Sequence, residues 1–310
     1  MQIGYVFPGQ GAQAVGMLAD LRAEFAHLDE RLNQASSILD EDLVALISNG
    51  PEERLNETET TQPVMLATSV ALFEVWHQAG GADPSAVAGH SLGEYSALTA
   101  AGGFDFEDAI ALVHERGKLM QAAVPKGEGA MAAVLGLELD ELSAICNDVE
   151  GVVTPANINS PGQVVIAGAA TSVQAVIDQV LAEGDKRKRV VPLDVSVPSH
   201  CELMAPAADG VEQLLADVTM NDPSCPIYQN VDAASTMNVS EIRDRLIRQL
   251  TAPVRWADCA TAMVANDCET LIECGPGKVL TGLARRIDRS IDCKAIGTID
   301  DFNAALEAVA

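Results

Sequence analysis

The chain has 310 residues, 48% of them hydrophobic, with 45 acidic against 19 basic side chains and a formal net charge of −26. The apolar share excludes a disordered chain, the length calls for one large domain with an insertion or for two domains, and the charge speaks against nucleic acid as a partner. No apolar run is as long as a membrane span, and the seven scattered cysteines, with no C-x-x-C, read as reduced and mostly buried thiols without zinc-site spacing.

Gly4-Tyr5-Val6-Phe7 reads as a first strand entering the turn Pro8-Gly9-Gln10-Gly11. No basic stretch or cleavage pattern precedes it, so the N-terminus is not read as a signal peptide and the expected compartment is the cytoplasm. Residues 17–47 read as helices with an acidic surface, and 62–76 as a long apolar-periodic helix ending at Gly80-Gly81. Ser85-Ala86-Val87-Ala88 is a short buried strand, and helices follow over 94–101 and 106–124. After Pro125 the pattern changes: strand 130–137, helix 140–147, strands 152–153 and 164–167 joined through Asn159-Ser160-Pro161-Gly162, helix 171–183, strand 189–193. This β-α-β-β-α-β order predicts a small ferredoxin-like domain inserted at 126–195. The larger domain, 1–125 and 196–310, resumes at Ser196 with helices over 201–215 and 241–250, a strand over 270–274 and a helix over 278–287. Strands alternating with helices predict an α/β fold, here an α/β-hydrolase-like domain with a mainly parallel sheet.

Gly89-His90-Ser91-Leu92-Gly93 spells G-x-S-x-G between a strand and a helix, the turn that exposes a nucleophilic serine. A serine hydroxyl needs a base. Of the five histidines, His27 and His77 lie on helices among polar neighbours and read as surface residues. His90 adjoins Ser91 at a sharp turn, where neighbouring side chains diverge. His114 falls opposite the apolar stripe of its helix and reads as solvated. His200 remains, after a strand and a proline and at a helix start; the base role stands beside a capping or packing role. Cys201 is a rival nucleophile that reads rather as a packed thiol. Arg116 falls on the apolar side of the 106–124 helix, three residues after Val113 and four before Met120. A guanidinium there needs an anion, either in a structural salt bridge or as a substrate carboxylate gripped in bidentate fashion.

With these residues the chain resembles the bacterial malonyl-CoA:acyl carrier protein transacylases. The matching segments are Phe7-Pro8-Gly9-Gln10-Gly11, Thr61-Gln62-Pro63, Gly89 to Tyr95, Arg116-Gly117, Asn157 to Gln163, Val197-Pro198-Ser199-His200, Gln249-Leu250 and Gly275 to Leu280, in family order. Ala12 and Cys274 depart from the usual residues, and neither carries chemistry. The resemblance implies Ser91 as acylated nucleophile and His200 as general base. It implies the backbone N–H groups of Gln10 and Leu92 as oxyanion hole, Arg116 as holder of the malonyl carboxylate, and the Gln249 carbonyl as orienter of the histidine. Asn159 is implied to face the site from the small domain. The implied partners are malonyl-CoA and acyl carrier protein, with no metal or other cofactor; charge and apolar runs speak against nucleic acid and membrane, and with no long amphipathic stripe left unused a monomer is expected. An acidic carrier would dock on a basic group, with Arg243 to Arg248 and Arg285-Arg286 favoured over Lys186 to Arg189. The alternatives are a serine esterase or lysophospholipase-type hydrolase, the acyltransferase component of a polyketide synthase, and a non-catalytic domain that kept this fold.

Overall fold

The structure, a computed structural model, describes residues 2–182, 184–193, 195 and 197–309. Two sheets organise them. The first has six strands: β1 (Ile3–Phe7), β2 (Ala86–Gly89), β7 (Ile227–Tyr228), β8 (Ser235–Thr236), β9 (Thr270–Glu273) and β10 (Cys293–Ala295), in the order β10-β9-β1-β2-β7-β8. All neighbours are parallel except β7 and β8. β1 and β2 are buried at every position, as strands covered on both faces must be. The Thr58–Gln78 helix packs on this sheet and is buried almost all round, which explains why its sequence is apolar beyond one stripe.

The second sheet is antiparallel, with β3 (Gly129–Leu135), β4 (Val153–Ser160), β5 (Gln163–Ala169) and β6 (Arg189–Pro192) in the order β4-β5-β3-β6. The Leu139–Asp148 and Ala170–Ala182 helices complete the β-α-β-β-α-β arrangement, with a core of its own around Val134, Leu142, Ile166 and Val176. Ser196, taken as the point where the larger fold resumes, and Glu183, taken as the end of the 171–183 helix, lie outside the described residues.

Several elements differ from the sequence reading. The helix expected over 201–215 begins as a 3-10 turn, Glu202–Met204, before Ala205–Asp217, because Cys201 is extended. β7, β8, β10 and the Trp256–Ala265 and Ile299–Val309 helices were not read from sequence. The three strands are two or three residues long, too short for a periodicity to register. All seven cysteines are free and buried.

Candidate active site

The strand-to-helix turn after β2 is a tight one. Ser91 sits at φ 52°, in the left-handed region, and the Gly93–Ala100 helix starts two residues later. A Cβ on Gly89 would lie 1.8 Å from the Gly93 carbonyl carbon, and one on Gly93 would lie 2.1 Å from the Phe7 oxygen. Both glycines are therefore required by close backbone approach. His200 is also left-handed, at φ 64°. Only six described non-glycine residues have positive φ, and two of them are this pair. Holding such residues in that region costs about 1–2 kcal/mol each, a cost that functional sites tolerate.

The pair is in contact. Ser91 Oγ lies 2.7 Å from His200 Nε2, and His200 Nδ1 lies 2.8 Å from the Gln249 backbone oxygen. A carbonyl only accepts, so Nδ1 carries the proton and Nε2 is left to accept from the serine. Burial drives the His200 imidazole down to about 3; the Gln249 carbonyl opposes this, and the Arg116 charge adds to it. The ring is therefore neutral at ordinary pH.

Gln10 and Leu92 line the same cavity as Ser91 and His200, a space of about 100 Å³. Among the described residues neither backbone N–H donates to a protein acceptor, and Leu92 stands at the start of a helix, where N–H groups are unpaired. Met131 and Asn157, from the antiparallel sheet, close the cavity with Leu193 and Val195. Asn157 Oδ1 is buried without a hydrogen-bond partner among the described residues.

Arg116 also lines the cavity and is 1% exposed, as its place on the apolar stripe predicts. Its partners are neutral: Nη1 donates to Gln62 Oε1 at 2.7 Å and Nη2 to Gln249 Oε1 at 2.9 Å. The guanidinium lies 5.1 Å from the Tyr95 ring centre, and burial lowers its affinity for its proton. Among the described residues no carboxylate forms an ion pair with it, so the salt-bridge alternative left open by the sequence is absent there. Its Nε is buried without a hydrogen-bond partner among the described residues.

The remaining histidines sort as follows. His90 Nε2 meets Asn159 Oδ1 at 2.9 Å, so both residues face each other and not the serine hydroxyl. Asn159 thus braces His90, while Asn157 is the asparagine of that segment lining the cavity. His27, His77 and His114 are less solvated than expected. His27 bonds to Glu74, His77 packs 4.3 Å from the Phe73 ring, and His114 bonds to the Glu59 carbonyl at 2.9 Å. Cys201 is fully buried on the Pro198 carbonyl and its thiol is pushed up to about 11, a packed and unreactive group.

Two supporting residues were not found from sequence. Asn230 takes the Ser91 N–H on Oδ1 at 2.7 Å, donates Nδ2 to the Gly89 oxygen at 2.7 Å, and gives its own N–H to Glu94 Oε1 at 2.6 Å. Glu94 is fully buried behind the elbow, and its Oε2 accepts from Gln249 Nε2. Burial raises the Glu94 carboxyl to about 8, against the pull of the Asn230 and Gln249 bonds and the Arg116 charge. For Glu94 the sequence signals were its place in the matching segment Gly89 to Tyr95 and a glutamate among apolar residues of a short helix. Among the described residues, no cluster of three His, Cys, Asp or Glu side chains could hold a metal ion.

A strained serine, a neutral histidine fixed by a carbonyl, and two open backbone N–H groups form an arrangement suited to serine-dependent acyl transfer. Residues 4–301 match the acyl transferase domain family, and the chain belongs to that family. It is 51% identical over 308 residues to the malonyl CoA-acyl carrier protein transacylase of Escherichia coli strain K12, covering 99% of each chain, and 39% identical to that of Bacillus subtilis strain 168, covering 99% of this chain and 97% of the other. The crystal structure of an acyl carrier protein S-malonyltransferase from Vibrio cholerae superposes with a TM-score of 0.94 at 50% identity, covering 98% of this chain and 100% of that one. A malonyl-transacylase in complex with its type II polyketide acyl-carrier protein superposes with a TM-score of 0.96 at 46% identity, covering 99% and 100%.

Proposed function

We propose that this chain transfers the malonyl group of malonyl-CoA to the phosphopantetheine thiol of an acyl carrier protein through an ester on Ser91. The observation that carries the reading is Arg116, a buried guanidinium held by amides alone in the cavity of the Ser91–His200 pair. A substrate bearing its own carboxylate supplies the directly paired anion that the guanidinium lacks among the described residues.

In this mechanism Ser91 Oγ attacks the thioester carbon as His200 Nε2 takes its proton. The oxyanion rests on the Gln10 and Leu92 N–H groups, each worth about 3–4 kcal/mol in comparable sites. Collapse breaks the C–S bond, and the histidine returns the proton to the leaving CoA sulfur. The carrier thiol then gives its proton to His200 Nε2 and attacks the ester, and Ser91 recovers the proton as it leaves. The CoA thioester is a substrate, and the reading expects no metal or prosthetic group and a cytoplasmic enzyme. Segment 126–195 is read as the small domain that closes the cavity.

The acidic carrier is placed on Arg285 and Arg286. Of the favoured basic residues, Arg245 pairs with Asp232, Arg248 pairs with Asp244 and Arg243 is half-buried, whereas Arg285 and Arg286 are exposed and have no carboxylate partner among the described residues. The relative solved with a polyketide carrier favours a second reading of the acceptor, in which the carrier belongs to polyketide assembly; rates with the two carrier types separate the readings.

The test is intact mass after incubation with malonyl-CoA. One malonyl adduct, lost in Ser91→Ala and discharged by holo carrier protein, is expected. Free malonate without an adduct would indicate a hydrolase, and no reaction a binding module.

A further inference from the structure

Gln249 carries two separate duties. Its backbone oxygen holds His200 Nδ1, and its side-chain Oε1 holds Arg116 Nη2. A glutamine amide can present either end, and the wrong end would put an NH₂ group against the guanidinium. Arginine only donates, so that arrangement would bury two opposed donors. What decides the orientation is the group at the other end of the amide. Gln249 Nε2 donates to Glu94 Oε2 and to the Ser91 backbone oxygen at 3.0 Å. Both are acceptors, and flipping the amide would point its oxygen at them.

Glu94 has no contact with solvent. Its other oxygen takes the Asn230 N–H at 2.6 Å, and Asn230 takes the Ser91 N–H. Each Glu94 oxygen therefore meets a donor and neither meets an acceptor for an added proton, so the geometry suits the carboxylate form. Through one amide on each side, this group reaches the nucleophile's backbone and the arginine. When ionised, above about pH 8, it is also the buried negative charge facing Arg116 across the Gln249 amide, an amide polarised between cation and anion.

We propose that Glu94 is a positioning residue for malonyl selection: by fixing the Gln249 amide it aims Arg116 at the acyl carboxylate. This rests on the reading of Arg116 as the carboxylate holder. The side chain has no place in bond making, since its oxygens are occupied by Gln249 and Asn230.

The test compares Glu94→Gln, Glu94→Asp and Gln249→Met with the parent and with Arg116→Ala, on malonyl-CoA and acetyl-CoA at about pH 8.5. Glu94→Gln keeps shape but can satisfy only one of the two donors. Its malonyl/acetyl ratio of kcat/KM is expected to fall at least tenfold, mainly through KM for malonyl-CoA. Gln249→Met, which keeps the backbone carbonyl on His200, should fall similarly, and the double variant no further. Glu94→Asp, which retains the charge, should recover part of the ratio. A residue that only supports the fold would lower the melting temperature and the yield of active protein with the ratio intact. If Glu94→Gln keeps the ratio within twofold while Arg116→Ala collapses it, the positioning role is wrong and the arginine reading stands. If Arg116→Ala also keeps it, the arginine reading fails first. Should Glu94→Gln not fold, Glu94→Asp and Gln249→Met decide: both within twofold of the parent overturns the proposal.

Discussion

His200 is neutral because it is buried, and this sets how the protein responds to acid. The ring is pushed from 6.5 to about 3. A neutral base over that span means kcat/KM for malonyl-CoA should hold within about twofold between pH 7.5 and 5.5, with no limb near 6.5; a pH–rate profile checks this. Stability moves the other way. The unfolded chain takes up a proton on this ring near pH 6.5 and the folded one does not, so folding free energy is lost as pH falls through that window toward 3. Between pH 7.5 and 5 the loss from this residue is roughly 2 kcal/mol, which His200→Ala should lack; urea titrations of both proteins at the two pH values measure it. His200 stood out in sequence as the candidate because only five histidines compete for the role. Arg116 was legible because a charge on an apolar stripe is itself an anomaly. Glu94 and Asn230 were not, since their meaning lies in partners 155 and 139 residues away, Gln249 and Ser91.

At the level of elements, the elbow works because three pieces of backbone meet. β1, β2 and the Gly93–Ala100 helix approach so closely that side chains are excluded at the crossing. Gly93→Ala would put a methyl 2.1 Å from the Phe7 oxygen, an atom held in the central sheet and unable to yield. Overpacking of this kind costs about 1–3 kcal/mol. The expected outcome is a lower urea midpoint together with at least a hundredfold slower malonyl adduct formation, because the Leu92 N–H and the serine move with the turn. Loss of stability with acylation at the parent rate would disprove the link. The elbow strand and its helix were readable from the apolar run and the glycines. The Trp256–Ala265 helix, buried at Trp256, Cys259, Ala260 and Met263, was not, because it carries no cap signal that the chain before it announces.

Across the whole molecule, the cavity lies between two sheets whose segments alternate in sequence. The large sheet brings Ser91 and the antiparallel sheet brings Met131 and Asn157, so the space beside the serine is set by how the two meet. The net charge of −26 makes an acidic carrier's approach unfavourable except on an uncompensated basic patch. Arg285 and Arg286 line a groove with Ser160 to Gln163 of the small sheet, and Arg289 stands beside them. Arg285→Glu with Arg286→Glu should raise the KM for carrier protein about tenfold and leave that for malonyl-CoA within twofold. Arg248→Glu, at a residue already paired with Asp244, should do much less. Steady-state kinetics against each substrate check both, and equal effects on the two substrates would sink the assignment.

Local order carried far in this chain. Turn residues, apolar periodicity and the order of elements were enough for the α/β class, the β-α-β-β-α-β segment, the strand-to-helix turn that carries Ser91 and the misplaced arginine, because each is written in neighbours a few residues apart. Tertiary structure alone decided that Arg116 is held by amides and not by a carboxylate, that Asn157 and not Asn159 lines the cavity, and that one buried glutamate orients the glutamine between base and arginine. Those outcomes depend on which donors and acceptors meet across the sheet, and no local spacing encodes a meeting between residues that far apart in the chain.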